Sequence, residues 1–172
     1  MAYTPPLKFD PITDPKKLYN RALYWLSKRD YSVADFVKKL DKVCENAEMK
    51  DALVCQLIEN DWLSEKRYIK AFIRSKISAG LGPFRIVNDL KQHGVKSTDA
   101  ELSLEQFDTD WFEQARETYE RKYGHSPLTN SDSKNNKNSQ ELYKEKAKRF
   151  RYMQYRGFSI DQINYAIAPC DD

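Results

Sequence analysis

The sequence holds little of the chemistry on which small enzymes and metal proteins depend. Its 172 residues include two histidines and three cysteines, and their spacing matches neither a zinc site nor a redox motif. No segment has the glycine pattern of a nucleotide-binding loop, and no Ser, His and Asp residues follow the order of a hydrolase triad. We therefore expect a protein that is not an enzyme, with no catalytic residue, no metal and no cofactor.

Long apolar runs are also missing. No stretch approaches the roughly 18 apolar residues of a membrane span, and residues 1–15 lack the apolar core of a secretory signal. The cysteines are Cys44, Cys55 and Cys170. Their number is odd and the first two fall on helical patterns, so we expect buried or half-buried free thiols in a reducing compartment. These absences predict a cytoplasmic protein with no membrane partner.

Glycine is scarce, and its positions punctuate the chain. Gly80, Gly94, Gly124 and Gly157 each follow an amphipathic run, where glycine can adopt the left-handed conformation that ends a helix. No proline interrupts a periodic run, and no segment keeps the two-residue period of a strand. The sequence therefore predicts an all-α fold, with helices at about 15–28, 33–43, 47–60, 65–79, 83–93, 98–106, 109–123, 140–156 and 160–168.

An internal repeat organises these helices. In three places a basic helix is followed by a short break and then by a second helix with the same apolar steps of five and four residues. The three copies are Tyr31, Phe36 and Leu40; Leu81, Ile86 and Leu90; and Phe158, Ile163 and Ile167. Such short helix pairs cannot bury their apolar faces alone, whereas stacked units share a core. We predict three tandem three-helix repeats, built from helix-turn-helix-like pairs, in an elongated and curved array.

The repeats and their connections suggest boundaries. Residues 1–14 form an N-terminal tail, followed by repeat 1 over 15–62, repeat 2 over 63–108 and repeat 3 over 109–172. The polar run near 125–140, rich in Ser and Asn, predicts a flexible insertion in repeat 3 that contributes nothing to a core.

The net charge of +3 conceals strong segregation along the chain. Basic residues dominate 64–95 and 141–157, whereas 99–120 carries eight acids against one arginine. Cations interleaved with aromatic residues are typical of a surface for a polyanion or an acidic partner, and solvated helix faces would give the same pattern. The candidate binding residues are Arg67, Lys70, Arg74, Lys76, Arg85, Lys91, Lys146, Lys148, Arg149 and Arg156.

The central segment, residues 74–95 with the sequence RSKISAGLGPFRIVNDLKQHGV, resembles the signature of the RecX family. The segments from Leu26 to Ser32 and from Lys148 to Ser159 resemble the family's first and third modules, and the similarity covers about residues 16–168. The resemblance implies three three-helix repeats in a curved monomer that binds along the groove of the RecA–DNA filament. It also implies inhibition of RecA's strand-exchange, ATPase and coprotease activities, with weak, salt-sensitive DNA affinity and no catalytic residue.

Two other functions remain open from the residues themselves. A free-standing DNA-binding protein would read bases from the helix at 83–93 and would usually dimerise. On that helix only Arg85, Asn88, Lys91 and Gln92 suit base reading, and no dimerisation stripe is present. A helical scaffold for an unrelated partner is the third alternative.

Overall fold

The computed structural model describes residues 11–124 and 136–168. Over these ranges it contains nine helices and no strand, so the all-α prediction is confirmed. Every predicted helix is found, and the largest difference in bounds is at the start of the eighth. The helices are α1 (Pro15–Leu26), α2 (Val33–Leu40), α3 (Ala47–Glu59), α4 (Glu65–Ser78), α5 (Pro83–Gln92), α6 (Ser97–Glu105), α7 (Trp111–Tyr123), α8 (Asn136–Arg156) and α9 (Ile160–Ile167).

Polar side chains fix where several helices begin. The side chains of Asp14, Ser32, Asn46, Asp110 and Ser159 each accept a hydrogen bond from a backbone N–H in the first turn of the helix that follows. These donors have no partner within the helix, so each cap removes an unsatisfied group and stabilises the start by about 1 kcal/mol.

The helix ends follow the glycine prediction. Gly80, Gly94, Gly124 and Gly157 all have positive φ, from 69° to 93°. At α4 the Leu81 N–H donates to the Lys76 carbonyl (3.0 Å), and at α8 the Phe158 N–H donates to the Met153 carbonyl (3.3 Å). This six-to-one bond is the Schellman arrangement that satisfies the last carbonyls of a helix. The second break, at residues 79–82, and the third, at residues 156–159, therefore share one local geometry.

The chain divides into two compact units, and the division passes through α4 and α5. Unit 1 comprises Met1–Ala71 and Leu90–Ser97, and unit 2 comprises Phe72–Asp89 and Thr98–Asp172. The core of unit 1 is formed by apolar side chains of α1, α2 and α3 with neighbouring residues, including Leu18, Ala22, Phe36, Leu40 and Leu57, all fully buried.

The core of unit 2 is formed by the packing of α7, α8 and α9. Its buried members are Ala115, Tyr119, Met153, Phe158, Ile163 and Ala166. Of the nine apolar residues that define the sequence repeat, seven are buried, and Leu81 and Ile167 are half-buried. The repeat spacing therefore marks core positions, as predicted.

Three expectations need adjustment. Helix α8 begins at Asn136, so residues 136–140 are helical and do not belong to the predicted loop; residues 125–135 lie outside the described residues. Residues 1–10 and Cys170 also lie outside them. Part of the predicted tail is attached to unit 1, because the Ile12 N–H donates to the Val43 carbonyl at 2.7 Å. Cys44 is buried as expected, but Cys55 is exposed, because it lies on the outer face of α3.

Candidate functional site

In unit 2, the Asp89 carboxylate lies between two of the predicted binding cations. Lys76 Nζ is 3.2 Å from one Asp89 oxygen, and Arg85 Nε is 2.9 Å from the other. The Asp89 side chain is only 13% exposed, so the paired charges hold one another in place. We call Lys76, Arg85 and Asp89 the Asp89 cluster; it carries one net positive charge on two positioned cations.

Aromatic rings surround this cluster. The Arg85 guanidinium lies 5.0 Å from the centre of the Tyr155 ring, and Lys76 Nζ lies 4.8 Å from that of Phe72. Cations are attracted to the electron-rich faces of such rings. Tyr155 is 69% exposed and Phe84, at the start of α5, is 61% exposed. Positioned cations beside exposed aromatic rings can contact phosphates, stack on bases or pack against a protein partner.

A direct contact between the second and third breaks brings Arg85 to Tyr155. The Gly82 N–H donates to the Arg156 carbonyl (2.8 Å), and the Phe84 N–H donates to the Gly157 carbonyl (3.2 Å). A Cβ added at Gly82 would lie 2.4 Å from the Gly157 oxygen, and one at Gly157 would lie 2.3 Å from Arg85 Cβ. The two glycines therefore allow the main chains to meet, and that meeting sets the position of the cluster.

Arg156, another predicted binding residue, donates hydrogen bonds to carbonyls of unit 2. Its Nε donates to the Gly80 carbonyl (3.1 Å), and a second guanidinium N–H donates to the Ala79 carbonyl. The buried Thr118 hydroxyl donates to the same Gly80 oxygen (3.3 Å), and Gln114 Nε2 donates to the Ile77 carbonyl (2.9 Å). The Ile77 carbonyl also accepts from the Gly80 N–H (2.8 Å). The three side chains add further hydrogen bonds at the end of α4, where carbonyls lack donors within the helix. Sequence reasoning missed Gln114 and Thr118, because nothing local marks a cap made from a distant helix.

Arg149 is likewise an internal group, and its side chain is 14% exposed. It donates to the Tyr119 hydroxyl (2.7 Å) and to the Glu145 carboxylate (3.1 Å). Burial acts to lower the pKa of Arg149, but these two acceptors outweigh burial, and the pKa is raised. In return, the hydrogen bond from Arg149 holds the pKa of the Glu145 carboxyl below its ordinary value.

Arg67 bonds in a similar way to oxygens of unit 1, although its side chain is 43% exposed. Its Nε donates to Asp30 Oδ1 (2.9 Å), and its other N–H groups donate to the carbonyls of Asp61 (3.1 Å) and Trp62 (3.0 Å). The hydrogen bond with Asp30 raises the pKa of Arg67. The side chain therefore ties the start of α4 to the first break, at residues 29–32, and to the end of α3.

The remaining predicted residues extend into solvent. Lys70, Arg74, Lys91 and Lys146 are exposed, and Lys148 is exposed while lying 3.3 Å from Glu145. The structure thus brings together Lys76 with Arg85, and Lys148 with Arg149, each pair around one carboxylate. The predicted assignment of all ten residues to a binding site stays a prediction.

Sequence reasoning did not single out a second basic region, which lies in unit 1. A cleft of about 500 Å³ is lined by Trp25, Arg29, Tyr31, Asp35, Lys38, Lys39, Lys42 and Val43. The signal was available, because Arg29 precedes Tyr31 and three lysines follow within a dozen residues. It was not singled out because the net positive charge of this segment is smaller than that of residues 64–95.

In the described parts of the chain, no three His, Cys, Asp or Glu side chains are grouped so as to hold a metal ion. His93 Nδ1 lies 2.6 Å from Asp35 Oδ2, and the Ser32 hydroxyl donates to the His93 carbonyl. This histidine therefore joins the end of α5 to the start of α2. Among the described helices, none is long and apolar enough to span a membrane.

Comparison with known proteins places these features in a family. The model of the second three-helix domain of RecX matches residues 64–104, and that of the third three-helix domain matches residues 108–167. The regulatory protein RecX of Ectopseudomonas mendocina (strain ymp) is 33% identical over 162 residues, which is 94% of this chain and 99% of that protein. That of Vibrio campbellii (strain ATCC BAA-1116) is 33% identical over 152 residues, 88% of this chain and 90% of that protein.

A solved structure supports the fold. The crystal structure of RecX from Lactobacillus salivarius matches with a TM-score of 0.68 and 24% identity, covering 89% of this chain and 94% of that one. The helices and the matching domains define an all-α repeat protein built from three-helix domains. The chain belongs to the RecX family of regulatory proteins.

Proposed function

We propose that this chain regulates RecA: it binds the RecA–DNA filament and inhibits recombinase, ATPase and coprotease activity. The observation that carries this proposal is the match to a regulatory protein RecX over 99% of that protein's length. Because the match extends along the whole relative, all three repeats take part in the likeness. In this proposal the repeats span 15–62, 63–108 and 109–172, and the chain acts as a monomer in the cytoplasm.

The surface chemistry is compatible with such a partner. A RecA–DNA filament presents phosphates and protein carboxylates side by side, and Arg grips both through its fork while Lys acts as a point charge. The exposed cations Lys70, Arg74, Lys91, Lys146 and Lys148 are the groups that we assign to contact with the filament. Lys76 and Arg85 contribute from the Asp89 cluster.

The cations that bond to the chain's own oxygens have a different role in this proposal. Arg67, Arg149 and Arg156 satisfy carbonyl, hydroxyl and carboxylate oxygens of the chain itself. We assign them to positioning the helices that carry the exposed cations. Direct DNA affinity is then weak, because few phosphate contacts act without RecA, and it is salt-sensitive, because each phosphate contact releases counterions.

The first experiment measures RecA's DNA-dependent ATPase and strand-exchange rates at substoichiometric amounts of this protein. Inhibition well below one copy per RecA is the expected result, since a filament binder acts on many subunits at once. Absence of inhibition at every ratio, together with binding to bare duplex, would replace the proposal with a free-standing DNA-binding protein. In that case log K should fall with log salt by about 0.9 per phosphate contact.

A pair of charge reversals localises the contact. Arg74→Glu alters an exposed side chain of α4, and Arg121→Glu makes the same charge change on an exposed side chain of α7 in the same unit. We expect Arg74→Glu to raise the concentration for half-inhibition of RecA by about tenfold, the scale of a charged contact. Arg121→Glu should change it by less than about twofold. Equal effects of the two variants would show that net charge, and not this face of α4, governs inhibition.

A further inference from the structure

The cleft in unit 1 has the composition of an anion site. Four cations line it, namely Arg29, Lys38, Lys39 and Lys42, against the single carboxylate of Asp35. That carboxylate is already engaged by His93 Nδ1 at 2.6 Å and by Lys38 at 3.4 Å. The end of α2 adds about half a negative charge, which leaves the cleft strongly positive.

Two of the cations are held in place by aromatic rings. Lys39 Nζ lies 4.7 Å from the centre of the Trp25 ring and 4.8 Å from that of Tyr31, and it donates to the Tyr31 hydroxyl at 2.8 Å. The Arg29 guanidinium lies 4.3 Å over the Tyr31 ring. Both rings are anchored in the core by edge contacts with Phe36. The cations are therefore positioned before any ligand arrives, which lowers the entropic cost of binding.

The cations of the cleft also act on the phenol of Tyr31. Burial acts to raise the pKa of Tyr31, but the hydrogen bond from Lys39 and the nearby Arg29 outweigh burial, and the pKa is lowered. The same field stabilises any anion that enters the cleft, since both effects come from cations in a partly desolvated site.

The cation types suit a phosphate ligand. The flat fork of arginine matches both carboxylate and phosphate, whereas lysine offers three N–H donors around a point charge. Three of the four cations are lysines, and one face of the Arg29 fork is covered by Tyr31. A phosphate presents oxygens in several directions and suits a ring of lysines.

We propose that the cleft between the end of α1 and α2 binds the phosphate groups of a phosphate ester, in a nucleic-acid backbone or in a free nucleotide. If the phosphate belongs to a nucleic-acid backbone, this site supplies part of the direct DNA contact included in the proposed function. The aromatic walls act by holding the cations, because their faces are occupied by Arg29 and Lys39.

The test removes two cations from the cleft and two from elsewhere in the same unit. Lys38→Gln with Lys42→Gln changes exposed lining residues, and Lys16→Gln with Lys66→Gln removes the same charge from exposed positions on α1 and α4. Fluorescence anisotropy of a labelled oligo-dT of about 20 nucleotides is measured over a range of salt. We expect the cleft variant to bind about tenfold more weakly and its log–log salt slope to fall by about 1.4, for two single-strand contacts at about 0.7 each.

The control pair should keep its slope and lose less than about twofold in affinity. Calorimetry with ATP separates the two sources. Saturable ATP binding that the cleft variant loses identifies a free nucleotide, whereas loss of oligo-dT binding without any ATP binding identifies the backbone.

Three results would overturn the proposal. They are equal losses in both variant pairs, no binding of either probe, and a glutamate-rich peptide of matched charge that binds as tightly as oligo-dT with the same loss. Circular dichroism verifies that both pairs are folded. RecA inhibition, measured in parallel, separates the two hypotheses, because a cleft variant that loses phosphate binding but still inhibits RecA leaves the proposed function standing.

Discussion

The first break, at residues 29–32, and the third, at residues 156–159, have similar sequences but are held by different kinds of contact. In unit 1, the Ser32 hydroxyl donates to the His93 carbonyl (2.7 Å), and Glu65 Oε2 accepts from the Val33 N–H (2.7 Å). Side chains thus bridge the elements of unit 1. In unit 2, the main chain around Gly157 accepts directly from the main chain around Gly82.

The comparison shows that similar helix breaks can be held either by side-chain hydrogen bonds or by main-chain hydrogen bonds. A bridge of side chains can be weakened by changing one polar group or by titration. A contact between main chains depends on the absence of Cβ atoms and does not respond to pH. The third residue of the following helix shows the same contrast: it is the titratable Asp35 in α2 and the neutral Gln162 in α9.

Gly157→Ala should have the largest effect on this contrast. The new Cβ would lie 2.3 Å from Arg85 Cβ and 2.4 Å from the Arg85 nitrogen, at a φ of +93°. Strain at positive φ and overpacking each cost about 1–3 kcal/mol, so the variant should lose about 3 kcal/mol or more of its free energy of unfolding. Urea denaturation followed by circular dichroism measures this loss.

Gly94→Ala is the matching change in unit 1, where the new Cβ would meet Ala34 Cβ at 2.3 Å. Here the obstacle is one methyl group, so Ala34→Gly in the same chain should restore part of the loss. Gly157 permits no such rescue, because its obstacle includes main chain. Gly124→Ala measures the cost of positive φ alone, since its Cβ would meet nothing within 4 Å. If Gly157→Ala costs no more than Gly124→Ala, the main-chain contact does not constrain the fold.

The two serine caps give the next largest difference. Ser32 is fully buried, accepts from the Asp35 N–H (3.1 Å) and donates to the His93 carbonyl. The Ser159 hydroxyl accepts a hydrogen bond from the Gln162 N–H (3.2 Å), and Ser159 is half-buried. Ser32→Ala should therefore cost about 2 kcal/mol and Ser159→Ala about 1 kcal/mol. Equal shifts in the urea midpoint would mean that the bond to His93 adds nothing to the cap.

Asp35→Asn should have the smallest effect, and that effect should depend on pH. Burial acts to raise the pKa of Asp35, but the hydrogen bonds with His93 and Lys38 outweigh burial and leave the pKa below its ordinary value. A depressed carboxyl pKa contributes stability above the unfolded value, near 4, and that stability is lost as pH falls through the folded pKa. The variant should be less stable than the wild type by about 1 kcal/mol at pH 7.

The difference in free energy of unfolding between the wild type and Asp35→Asn should disappear as the pH falls below about 4. Urea midpoints measured between pH 7 and pH 3 follow this difference. Gln162→Glu is the reciprocal control in unit 2, because it places a titratable group at the equivalent position, where Gln162 bonds with Ser159. A difference for Asp35→Asn that stays constant with pH would rule out a contribution from the Asp35 charge.

Much of the fold could be predicted, because its signals are local. Capping serines, apolar steps of five and four residues, and glycines at helix ends all act within a few residues of one another. The start of α8 was the main error, since the polar run before it has a composition typical of a loop and yet its last residues, from Asn136, are helical.

The candidate site was only partly predictable. Sequence identified Lys76, Arg85 and Arg156 as cations, but it could not tell that Asp89 binds the first two or that the third caps α4. The cleft around Lys39 and Tyr31 was missed altogether. Charge along the chain shows how many cations are present, but it does not show which carbonyls or carboxylates lie within hydrogen-bond distance of them.

The sequence by itself determined the helices, the repeat that places apolar residues in the cores, and the family likeness. These follow from interactions between residues a few positions apart, where geometry is fixed by the helix. Only the tertiary structure decided which cations extend into solvent and which satisfy the chain's own oxygens. The reason is that an arginine has the same charge in either role, and the partner that distinguishes them, such as the Gly80 carbonyl for Arg156, lies 76 residues away.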